Sequence, residues 1–81
     1  MIKIGSIYRH YKSTGWDDYT YEIVCLGKIK DTLEDAVVYR ALYPVIDLGE
    51  VFAENPIFIR TLSDFDSYTK DGIKRFQEIT L

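Results

Sequence analysis

The residues of this 81-residue chain with chemistry to offer are few. There is one histidine, His10, and one cysteine, Cys25; two segments, Tyr8-Arg9-His10-Tyr11 and Tyr39-Arg40 followed by Tyr43, set cations among phenols. A guanidinium grips carboxylates and phosphates bidentately, while aromatic rings stack on planar groups. Tyr8, Arg9, His10, Tyr11, Tyr39, Arg40, Tyr43 and Arg60 are therefore candidate ligand-binding residues, and the sharpest form of the idea has Arg9, Arg40 and Arg60 converging on one anionic ligand. The opposing reading is internal. Arg9 would lie across tyrosine rings, His10 would bond nearby backbone, and Arg40, between Val38 and Leu42, would pair with one of thirteen acids, because an unpaired buried charge is costly.

Catalysis has little to build on. Nucleophilic or acid–base chemistry needs a base beside a nucleophile and a third, orienting group. Only His10 and Cys25 qualify, and Cys25 sits in the apolar run Tyr21–Gly27, where a buried, reduced thiol is expected. No Cys or His pair stands at metal-ligand spacing, and Asp64 and Asp66 read as a solvated turn, so neither metal nor cofactor is expected and the protein reads as a non-enzyme. Trp16, in the polar stretch 13–18, is either a partner-binding anchor or a ring folded over the end of the core.

The totals bound the rest. Eighty-one residues, 47% of them hydrophobic and 15% aromatic, make one domain, residues 1–81, able to close a small core. Seven tyrosines against four phenylalanines imply a core with a wet rim, since a buried phenol needs a partner. A net charge of −3 disfavours nucleic acid, whose phosphates call for a basic surplus. A lone cysteine, no signal-type leader and no long apolar run point to a cytoplasmic protein without membrane contact.

Positioning falls to short strands. Residues 2–12 read as a first strand, and 19–27 as the most secure one, with Tyr19, Tyr21, Ile23 and Cys25 on one face against Thr20, Glu22, Val24 and Leu26. Thr32-Leu33-Glu34-Asp35 fits a helix opening, but Val37-Val38-Tyr39 is poor helix material, so a turn at 32–35 and a strand over 36–43 are expected. Residues 44–56 read as an irregular connection between two prolines. A strand at Ile57–Thr61, a helical turn after it capped by Ser63, a hairpin at Asp71-Gly72 and a last strand over 73–79 complete the chain. About five strands with one or two helical turns make an all-β barrel or roll.

The order of Gly5, Tyr8–Lys12, Tyr21–Val24, Thr32–Glu34, Val37–Tyr43, Arg60, Asp71-Gly72 and Arg75-Phe76 resembles the bacterial family catalogued as domain of unknown function 1653, across nearly the whole chain. The resemblance implies a small SH3-like barrel and no activity. Phe58 stands where that family usually has tryptophan, and Thr61 where it usually has proline, so Phe58 joins the candidate site in altered form. The expectation is a binding module whose Tyr/Arg-rich face takes a small anionic ligand, a peptide or a protein partner. A nucleic-acid module and an edge-pairing homodimer are the alternatives, with the chain a monomer or weak homodimer.

Overall fold

Residues 2–13, 19–43, 45–47, 50–53 and 55–79 are described by a computed structural model. In chain order they form β1 (Ile7–His10), β2 (Thr20–Lys28), β3 (Asp35–Ala41), β4 (Val45–Asp47), β5 (Glu50–Ala53), β6 (Ile57–Thr61), α1 (Leu62–Phe65) and β7 (Phe76–Ile79). Five strands make one antiparallel sheet in the order β6-β3-β2-β1-β7. The strand expected over 36–43 is β3, and the helical alternative for that segment is excluded.

Alternation along the strands sorts side chains to two faces. The inner face carries Tyr8, Tyr21, Ile23, Val37, Tyr39, Ala41 and Phe76, all buried, and α1 covers it by inserting Phe65. Phe65 stacks on Phe76 with ring centroids 4.2 Å apart and meets Tyr8 edge-on at 5.2 Å. Across the sheet, Tyr39 of β3 lies 5.7 Å from Phe76 of β7, although two strands separate them. In a flat sheet those positions would stand about 14 Å apart, so the sheet must curl until its flanks share one core. It does not close: among the described residues β6 and β7 exchange no ladder hydrogen bonds. The all-β expectation holds as an open roll, consistent with a small SH3-like fold but without barrel closure.

Several local expectations are corrected. Between Ile23 and Cys25 the β2–β3 register shifts, Ile23 opposing Tyr39 and Cys25 opposing Val38. One extra residue is thus accommodated in β2, and every side chain beyond it changes face. Cys25 moves outward beside Val38 and is exposed instead of buried, while Leu26 moves inward opposite Val37. Segment 44–56 is not irregular throughout, because β4 and β5 pair as a hairpin. The cap of α1 is Thr61, whose Oγ1 accepts from the Asp64 N–H at 3.2 Å, not Ser63. Thr32 caps no helix and accepts from Glu34 N–H in the β2–β3 turn, where Leu33 adopts φ 59°. The Asp71-Gly72 hairpin forms, but positive φ falls on Gly72 and not on Asp71. β1 and β7 are each shorter than expected, and no described helix is long and apolar enough to cross a membrane.

Candidate functional site

Ladder register decides which candidate residues can act together. Tyr8 and His10 point inward from β1, opposite Glu78 and Phe76 of β7, so Arg9 points outward, opposite Thr20 on one side and Gln77 on the other. Arg40 lies on the same outer face, opposite Glu22 and Ile57. Arg60 opposes Val37 and points inward. The three arginines therefore do not converge, because Arg60 shares the inner face of β6 with Phe58 while Arg9 and Arg40 point outward.

Arg40 and Arg60 are both engaged. Arg40 faces the Glu22 carboxylate at 3.9 Å, but both side chains are well exposed, so this is a surface contact and not the internal pairing expected of a buried arginine. The Nε of Arg60 donates to the Tyr39 hydroxyl at 2.8 Å and its Nη1 to Asp64 at 2.5 Å, and its guanidinium lies over the Phe76 ring at 5.3 Å. Burial alone would lower the Arg60 pKa, but the bonds to Asp64 and Tyr39 outweigh it and raise the value. Burial likewise keeps the Tyr39 phenol protonated against the pull of Arg60. The cation–π lid anticipated for Arg9 is thus made by Arg60.

Arg9 differs from both. Its Nε is buried without a hydrogen-bond partner, and among the described residues no carboxylate pairs with it. With His10, Tyr11, Ser13, Ile73, Lys74 and Gln77 it lines a cleft of about 170 Å³ where β1 leaves the sheet beside β7. His10 is 8% exposed, and its Nδ1 accepts the Lys12 N–H at 3.2 Å, so the neutral ring carries its proton on Nε2. Its pKa falls to about 4, first through burial and then through Arg60, Lys12 and Arg75. Three cations thus surround His10 in a chain of net charge −3. Lys12 and Arg75 approach the Tyr11 ring at 5.9 and 6.0 Å, and Arg75 Nε donates to Ser67 at 3.0 Å.

The remaining candidates are aromatic framework. Tyr43 and Tyr21 share a hydroxyl contact of 2.9 Å, and Tyr19 bridges from Tyr43 at 5.5 Å to His10 at 5.7 Å. Burial raises the Tyr21 pKa, with the Tyr43 bond adding to it. Phe58 packs beside Tyr39 at 5.9 Å, filling the position where tryptophan was expected. Tyr8 belongs to the core and to a different cavity. Trp16 lies outside the described residues.

Sequence reasoning missed Lys12, Arg75, Lys74 and Gln77. Arg75-Phe76 carried a signal, since a cation beside an aromatic mirrors Tyr8-Arg9, but only the β1–β7 pairing brings the two segments together. Cys25 on the outer face and His10 on the inner one form no catalytic couple, and among the described residues no group of three acids, histidines or cysteines could hold a metal.

No significant match is found among curated proteins or solved structures. The model of the family described as protein of unknown function (DUF1653) matches residues 6–78, from the entry of β1 to the last residues of β7. With β1, the β2–β3 hairpin, the Arg60 strand and the returning β7 all inside that match, the chain belongs to this family.

Proposed function

We propose that the protein is a non-enzymatic binding module that holds the anionic group of a small ligand or peptide in the Arg9–His10 cleft. One observation carries the reading: Arg9 is a cation with a buried, orphaned donor, lining a cleft beside a neutral histidine ringed by three further cations. Leaving such a donor unpaired costs about 1–3 kcal/mol, a cost that a bound carboxylate or phosphate removes. The cleft volume equals that of about five or six water molecules, enough for one such group. Tyr11, 39% exposed at the rim, offers a ring for the ligand's body.

Titration with inorganic phosphate and with acetate, followed by amide and arginine Nε–H NMR shifts, tests this. Arg9→Gln should weaken binding about tenfold or more, Arg40→Gln should leave it unchanged, and bound phosphate should raise the His10 pKa. Absence of saturable shifts, or equal loss in both variants, would overturn the reading. Binding to single-stranded RNA in preference to these anions, with steep salt dependence, would favour the nucleic-acid alternative over it.

A second reading rests on β6. It is an edge strand, and its outward residues Ile57 and Ile59 are 55% and 62% exposed. An apolar, unpaired edge is suited to antiparallel pairing with a second copy of the chain.

A further inference from the structure

A larger cavity adjoins the Arg9 cleft, with Lys74 lining both. It encloses about 580 Å³ and is lined by Ile2, Leu26, Ala36 and Leu62 as an apolar wall, with Tyr8, Asp35, Asp66, Lys74 and Glu78 supplying the polar groups. Its volume falls in the range of small-molecule sites. The β2 bulge creates part of it, since without the face change Leu26 would point away from this space.

Its polar groups are not equivalent. Asp35 is paired with Lys28 at 2.8 Å, and Asp66 binds the Lys74 ammonium, which also lies over the Tyr68 ring at 5.4 Å. Glu78 forms no ion pair among the described residues, and the ladder sets it directly opposite Tyr8 on the same face. Side chains so placed start about 5 Å apart. Tyr8 is only 8% exposed as a residue, but its hydroxyl is not among the buried unpaired atoms, so it opens into the cavity that Tyr8 lines. Burial, and then the Glu78 charge, raise its pKa, so the phenol stays protonated and keeps both a donor and free lone pairs. A hydroxyl that faces the cavity next to a carboxylate is placed to bond a guest there.

We propose that this cavity binds a primary ammonium carried on a small apolar body, with the ammonium seated between the Tyr8 hydroxyl and the Glu78 carboxylate. Three carboxylates against one lysine make the lining net negative, and two of the three are already neutralised by lysines. That leaves one uncompensated charge, which matches a monocation. The phenol lone pair and the carboxylate accept two of the three ammonium N–H bonds, and the third reaches solvent at the mouth. Ile2, Leu26, Ala36 and Leu62 then remove the apolar body from water. This site shares Lys74 with the anion cleft but has the opposite charge preference and uses Tyr8 and Glu78 instead of Arg9, so either can fail without the other.

Benzylamine, benzyl alcohol and benzoate added to the full chain, with amide NMR shifts as the readout, distinguish the outcomes. Benzylamine should perturb Leu26, Gly27, Ala36, Leu62 and Glu78, while the alcohol and the acid bind at least about tenfold more weakly. Glu78→Gln, at an exposed position, should weaken the amine about tenfold with the shift dispersion of the folded protein retained, and Tyr8→Phe should weaken it about threefold or more. Arg9→Gln should not alter it. The proposal is overturned if benzyl alcohol binds as well as benzylamine, if Glu78→Gln leaves amine affinity unchanged, or if no saturable shift appears up to about 10 mM.

Discussion

His10 shows how one buried side chain records its surroundings. Its ring contacts Tyr11 at 4.5 Å and Phe76 edge-on at 4.9 Å, and burial plus neighbouring cations hold its pKa near 4, below the ordinary 6.5. The folded state therefore refuses a proton that the unfolded chain accepts. Above about pH 6.5 neither state is protonated and His10 costs nothing; as pH falls from 6.5 toward 4, stability drops by an amount approaching about 3 kcal/mol. Urea unfolding should show this loss starting near pH 6.5, and His10→Phe should flatten the pH 5–6.5 part of the profile, before most carboxylates titrate. A wild-type profile as flat as the variant's would contradict the assigned environment. The identity of Arg9, Arg40 and Arg60 as residues of interest was readable in the chain. Their fates were not, because pairing with Glu22, Asp64 or nothing depends on which strand lies alongside.

At the scale of elements, α1 is a single turn that acts as a plug. A four-residue helix has no stability of its own, and it persists because Thr61 caps it and Phe65 is fully packed between Tyr8, Tyr39 and Phe76. Phe65→Ala should cost about 3–5 kcal/mol, and Thr61→Ala only about 1 kcal/mol or less, in urea unfolding at pH 7. Comparable losses would mean that the cap, not the plug, holds the turn. Alternation alone placed β3 and set Tyr21 with Ile23 on one face, as found, but it left the inner face of β1, and so the burial of Tyr8, open. It failed beyond Ile23, because a bulge leaves no mark in a run of apolar residues that satisfies either face, and so Cys25 and Leu26 exchanged places.

On the scale of the whole molecule, curling lets a five-stranded sheet bury rings from both flanks in one core, and the absence of closure leaves β6 and β7 as edges. If β6 pairs with a second copy, sedimentation equilibrium should show the mass rising from 9.5 kDa toward twice that with concentration. Ile59→Lys, which puts a charge on the edge, should hold the chain at monomer mass at all concentrations. A wild-type mass fixed at the monomer value removes the pairing.

Strand-forming composition, alternation and turn residues act over a few neighbours, so the chain alone determined an all-β fold, most strand positions, the tyrosine-rich core and the family. Which cation stays unpaired, where the two cavities open and whether the single thiol is exposed rest on contacts between residues well separated along the chain. Register, the bulge and the curl of the sheet settle those contacts, and each is a property of strands already assembled.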